Sequence, residues 1–113
     1  MSMIFDQGEF IELDFNPSTG HEPMKRRPAL VVSCSRFNAF LSSLTVVCPI
    51  TSTDNGHPLH IPLGAADVVS GYVCVEQLRS VDLASRRAKS IEAFINEDTM
   101  AEVLEAIGAV FNI

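Results

Sequence analysis

The sequence predicts a mainly-β domain: a small antiparallel barrel of five to seven short strands with one α-helix at the C-terminus. Three observations carry this. Short apolar runs, several with a period of two, recur along most of the chain and are parted by turn residues. Only the last segment changes period, with Met100, Val103, Leu104, Ile107 and Phe111 at helical spacing. The chain has 113 residues, 47% of them hydrophobic, which suits one domain with one core.

The elements follow in order. Gly8 opens the run from Glu9 to Phe15, in which Ile11, Leu13 and Phe15 alternate with Phe10, Glu12 and Asp14; this predicts a half-buried strand. Asn16-Pro17-Ser18-Thr19-Gly20 ends it with turn chemistry, and a loop continues to Arg27. Pro28 to Cys34 is almost wholly apolar, as in a strand covered on both faces, and residues 36–43 form a connection with room for a short helical turn. Leu44 to Thr51 is the next strand, with Pro49 where no ladder donor is needed, and Thr53-Asp54-Asn55-Gly56 turns the chain. Pro58 and Pro62 confine the run around Leu59, Ile61 and Leu63 to a sheet edge. Gly71 to Leu78 reads as one strand with Tyr72, Cys74 and Glu76 on one face, and residues 79–82 follow directly. A short strand fits residues 90–95. Thr99 with Glu102 fits a capping box for the final helix.

Composition narrows the function classes. No apolar run approaches the roughly 20 residues needed to cross a bilayer. The first residues lack a charged segment and a long apolar one, so the expectation is no signal peptide, no membrane and a cytoplasmic protein. Cys34, Cys48 and Cys74 are odd in number, widely spaced and set in apolar runs, which predicts buried, reduced thiols. The net charge is −6, against sequence-blind coating of nucleic acid. Six of the eight basic residues nevertheless cluster, in Lys25-Arg26-Arg27 and in Arg86, Arg87 and Lys89. A positive site on a negative body suits recognition of a few phosphates.

Three segments could carry chemistry. The loop from Gly20 to Arg27 gathers His21, Glu22, Lys25, Arg26 and Arg27; imidazole and carboxylate can move protons, and arginine can hold a phosphate with two donors. Thr51 and Ser52 place two hydroxyls at a strand end, where they can donate to a phosphate oxygen. Glu76, on an otherwise apolar face, needs a partner, for which Arg79 and Arg27 are the candidates, or else has a catalytic or base-reading role. His57 and His60 would face opposite sides of a strand, so no metal site is expected. Phosphate-cradling glycine motifs are missing, and no cofactor is expected.

In this order and spacing the pieces resemble the MazF/PemK family of toxin ribonucleases. The resemblance runs over nearly the whole chain, residues 1–113 as a single toxin domain. It rests on Gly8-Glu9, the run Asp14 to Pro17, Gly20-His21-Glu22 and the run Arg27 to Ser33. It continues with Asn38, Pro49 to Ser52, Gly56-x-Pro58, Gly71, Glu76-Gln77-x-Arg79-Ser80-x-Asp82 and the last helix. It implies an SH3-like barrel of the CcdB/MazF type, acting as a homodimer. It also implies metal-independent, sequence-specific cleavage of single-stranded mRNA to 2′,3′-cyclic phosphate and 5′-hydroxyl ends, and a cognate antitoxin. By resemblance Arg27, Thr51, Glu22 and His21 are the catalytic set, and Lys25, Arg26, Ser52, Glu76, Gln77 and Arg79 contact RNA. The chain departs from the PemK branch where that branch has an arginine and an aspartate two residues apart: Cys74 and Glu76 stand there. Two alternatives follow, a CcdB-like toxin that binds gyrase and a catalytically impaired regulatory relative.

Overall fold

The computed structural model describes residues 4–15 and 26–113. Among these residues seven strands and two helices follow one another: β1 (Glu9–Asp14), β2 (Arg26–Val31), α1 (Ser35–Leu41), β3 (Leu44–Thr51), β4 (His60–Pro62), β5 (Tyr72–Cys74), β6 (Arg79–Asp82), β7 (Lys89–Phe94) and α2 (Glu97–Val110). A single 3₁₀ turn, Val75–Gln77, lies between β5 and β6. All pairings are antiparallel, in the order β4-β5-β3-β2-β1-β7, with β6 beside β3.

The sheet does not close into a barrel among the described residues. β4 is three residues long and ends on Pro62, which has no donor for a further ladder. α2 covers the gap instead, with Met100, Val103 and Ile107 packed into the cluster that also holds Ile61 of β4 and Ile91 and Ala93 of β7. Apolar contact does there what strand pairing does elsewhere.

β3 organises the rest. Its first half pairs with β6 (Val46 with Ser80, Val47 with Arg79), its second half with β5 (Ile50 with Val73, Thr51 with Tyr72), and its other edge with β2. This divided pairing explains a difference from the sequence reading. The run from Gly71 to Leu78 is not one strand: it breaks after Cys74, turns through Val75–Gln77 and restarts at Arg79. Both halves are needed to cover one long strand, so the two-residue alternation fails at Glu76.

Two clusters fill the two sides of the sheet. One joins Ile11, Leu13, Ala29, Val31, Val47 and Val81; the other joins Phe10, Leu30, Cys48, Ile50, Val73 and Val103. β1 is therefore buried on both faces rather than one, and even Asp14 is 2% exposed. α2 also differs from expectation. It starts two residues before Thr99, and Asn96 caps it by accepting from the Asp98 N–H at 2.8 Å. Within it only Val103 is buried, while Leu104 and the following Phe111 lie on a second, exposed face. Of the three cysteines, Cys48 and Cys74 are buried, but Cys34 is exposed where the chain turns into α1.

Candidate functional site

The site is built where β2 and β3 lie side by side. The register Ala29–Pro49 brings the start of β2 beside the end of β3. Arg27, Pro28, Thr51, Ser52 and Ser70 then line one open pocket of about 290 Å³. Two of the sequence-derived candidates, Arg27 and Thr51, thus share a wall, with Ser52 beside them. The other two, Glu22 and His21, lie outside the described residues, as does Lys25.

Thr51 is held from two directions. Its Oγ1 accepts the Thr53 N–H at 3.2 Å, a local turn that fixes the hydroxyl. Behind it, Gly71 has φ +124°, and a Cβ on Gly71 would come within 2.3 Å of the Thr51 carbonyl oxygen. Only glycine allows this approach, so Gly71 sets how closely β5 presses on the strand end that carries Thr51.

Arg26 and Arg27 are adjacent but do different things, as strand alternation requires. The Arg26 guanidinium donates to Asp14 Oδ1 at 3.2 Å, to the Glu12 carbonyl at 3.2 Å and to the Arg87 carbonyl at 2.7 Å. Its Nε lies 3.6 Å from Glu12 Oε1. It neutralises the buried Asp14 and ties β2 to β1 and to the turn before β7. Arg27 lines the pocket.

Cys74 lies close enough to this pocket for Thr51 and Arg27 to act on its thiol, and Glu76 follows it along the chain, beside the end of α2. Burial and the Glu76 carboxylate push the Cys74 thiol up, against smaller lowering effects from Thr51 and Arg27, so the thiol stays protonated at neutral pH. Cysteine thus contributes no charge at the position where the resemblance implies a cation. Glu76 has neither Arg79 nor Arg27 as its partner. It accepts from His60 Nε2 at 2.8 Å. Burial alone would raise its carboxyl, but the hydrogen bonds from His60, its own backbone and Gln77 outweigh this and hold it below the usual carboxylate value. Gln77 reaches the same oxygen at 3.4 Å. Arg79 is occupied elsewhere: it lies 4.5 Å over the Phe15 ring and donates to the Phe15 carbonyl at 3.4 Å. Burial and the nearby Arg86 lower its pKa.

His60 is the residue of this region to which the sequence assigns no role. β4 places it directly across from Cys74. The signal lay in the His57-x-x-His60 spacing, but its reading assumed that both residues belong to a strand. The strand begins at His60, and His57 precedes it in a turn closed by the His60 N–H to the His57 carbonyl at 3.0 Å. The rings stack at 4.8 Å instead of pointing apart.

No helix of the described residues is long and apolar enough to cross a membrane. A family model described as PemK-like, MazF-like toxin of type II toxin–antitoxin system matches residues 6–111. The endoribonuclease toxin ChpB of Escherichia coli (strain K12) is 36% identical, over 94% of this chain and 93% of its own length. The endoribonuclease PemK of Escherichia coli is 31% identical, over 93% of this chain and 80% of its own. A MazE–MazF complex from Deinococcus radiodurans superposes with a TM-score of 0.88 at 38% identity, covering 98% of each chain.

Proposed function

The chain belongs to the PemK-like, MazF-like toxins of type II toxin–antitoxin systems, and from that premise we propose that it is an endoribonuclease that cuts single-stranded RNA without a metal. The observation that carries the reading is the shared pocket of Arg27 and Thr51, which sets a guanidinium and a hydroxyl around a space wide enough for a phosphodiester.

RNA brings its own nucleophile. The 2′-hydroxyl attacks the adjacent phosphorus, the bond to the 5′-oxygen breaks, the departing oxygen takes a proton from solvent in the open pocket, and a 2′,3′-cyclic phosphate and a 5′-hydroxyl result. Arg27 meets the charge that develops on the phosphoryl oxygens, and Thr51 Oγ1 donates to one of them. Glu22 or His21 takes the 2′-proton, a step worth roughly 10²- to 10⁴-fold in rate. Ser52 and Lys25 add phosphate contacts, and Glu76 and Gln77 read a base edge. Arg26 and Arg79, held by Asp14 and Phe15, shape the floor beside the RNA path.

The partners follow from the same premise. The relatives include MazE–MazF complexes, and a cognate antitoxin is the partner proposed for this chain. A homodimer suits the exposed apolar groove of about 340 Å³ lined by Val46, Leu78, Leu104 and Phe111. Action in the cytoplasm, where mRNA is met, completes the reading.

The test is cleavage of a long single-stranded RNA in EDTA, with end groups mapped. Arg27→Ala should lower the rate by about 100-fold or more, with the thermal midpoint unchanged because the residue is exposed. Cleavage by that variant at the wild-type rate refutes the assignment. Intact RNA with stabilised gyrase–DNA complexes would support a gyrase binder instead. A second reading, a catalytically impaired relative, is favoured by the protonated Cys74; Cys74→Arg raising the rate would support it.

A further inference from the structure

His57, His60 and Glu76 can each bring one ligand atom within 4.8 Å of the other two. They come from separate pieces of backbone that the fold pins together. His60 lies on β4, paired with Cys74, and Glu76 lies in the 3₁₀ turn just after Cys74. His57 is folded back by the turn before β4, with its ring at 23° to that of His60. We propose that these three side chains form a binding site for a divalent transition-metal ion of the zinc class, and that its occupancy switches the enzyme off.

The donor set selects the ion. Two imidazoles and one carboxylate suit zinc and its borderline neighbours, whereas magnesium and calcium want oxygen ligands throughout. Three protein ligands leave a fourth tetrahedral position for water. Metal–ligand bonds of roughly 2.0–2.1 Å put tetrahedral ligand atoms about 3.4 Å apart. His60 Nε2 and Glu76 Oε2 are hydrogen-bonded at 2.8 Å, so they must part by about half an ångström to admit the ion. Rotation of the His57 and Glu76 side chains must close the rest.

A second observation points the same way. The His60 side chain is only 7% exposed, yet its Nδ1 is buried without a hydrogen-bond partner among the described residues. Among the described residues the one polar contact of its ring is Glu76, itself a member of the cluster. An ion entering between them replaces that hydrogen bond with two coordinate bonds; the ring proton then sits on Nδ1, which is unpartnered with or without the ion. His57 gives up the bond its Nδ1 accepts from the exposed Leu59 N–H.

The effect on activity rests on the ribonuclease reading: a bound ion takes the Glu76 carboxylate away from RNA. Binding itself does not rest on it, so the two are measured separately. The full-length protein carrying Cys34→Ser, which removes the exposed thiol, is titrated with zinc chloride by calorimetry. One equivalent should bind, and His57→Ala and His60→Ala should each weaken it about tenfold or more. Cobalt(II) should give the visible absorption of a tetrahedral nitrogen–oxygen site, lost in both variants. Uptake unchanged in both variants, or no uptake at about 100 µM zinc, overturns the proposal. In cleavage assays His57→Ala should cut RNA in EDTA as the parent does and resist zinc; zinc inhibition as strong as the parent's overturns the switch. Zinc uptake by a protein that cuts no RNA under any condition supports the site and refutes the ribonuclease reading.

Discussion

Gly71→Ala is the sharpest probe of how the site is held. The added methyl would sit 2.3 Å from the Thr51 carbonyl oxygen, 3.1 Å from the Thr51 carbonyl carbon and 3.4 Å from Ile50 Cγ2. Two of these contacts are backbone, so no side chain can swing aside. The backbone at residue 71 also has φ +124°, where an L-residue costs about 1–3 kcal/mol. Forcing β5 off β3 adds overpacking strain of roughly 1–3 kcal/mol. Together they predict a loss of about 2–6 kcal/mol. For a domain of this size each kcal/mol moves the midpoint by about 4 °C, so a fall of roughly 8 °C or more is expected. Circular-dichroism melting of the purified variant measures it. The Gly71 carbonyl also accepts the Leu63 N–H at 2.9 Å, so the shift should loosen β4 as well. An alanine variant melting within about 2 °C of the parent would refute the reasoning, because it would mean that residue 71 does not press on Thr51.

Other outcomes test other parts of the structure. Asn96→Ala should cost about 1 kcal/mol through loss of the helix cap, and Thr99→Ala should lose no cap; equal effects in chemical denaturation would restore Thr99 as the capping residue. Arg26→Ala should destabilise by roughly 1–3 kcal/mol, because it leaves the buried Asp14 carboxylate short of its donor; an unchanged denaturation midpoint would show that Asp14 is satisfied without it. Native alkylation at pH 8 with iodoacetamide, read by mass spectrometry, should label Cys34 alone. Burial, chiefly, pushes the Cys48 thiol up to about 12 and also raises Cys74, so both stay protonated as well as covered; fast labelling of Cys48 would contradict this.

The parts of the fold legible in the sequence are those fixed by local pattern. Leu44 to Thr51 appears as a strand in both, because its apolar residues decide the matter without help. The same holds for the edge character of β4, which two prolines impose, and for the helix at the end. What escaped depends on contacts distant in sequence. Alternation through Glu76 failed because β3 requires two short partners in place of one long one. The stack of His57 on His60 depended on where β4 begins, a boundary that no periodicity marks. The site divides likewise: chain order puts Arg26 and Arg27 together, but only the carboxylate of Asp14 shows which of them is committed to the fold. Thr51 is legible through the resemblance, whereas the reason for Gly71 lies in its distance to Thr51.

The double pairing of β3 has a consequence for how this domain can change over generations. Thr51 closes a strand that is locked on both edges, so its position is insured by the folding of the whole molecule. The segments 52–58 and 64–68 leave and rejoin that strand's neighbourhood outside the core clusters. They can lengthen, shorten or exchange side chains while the strand end stays put. A protein built this way can rewrite its loops at little risk to the strand end that carries Thr51.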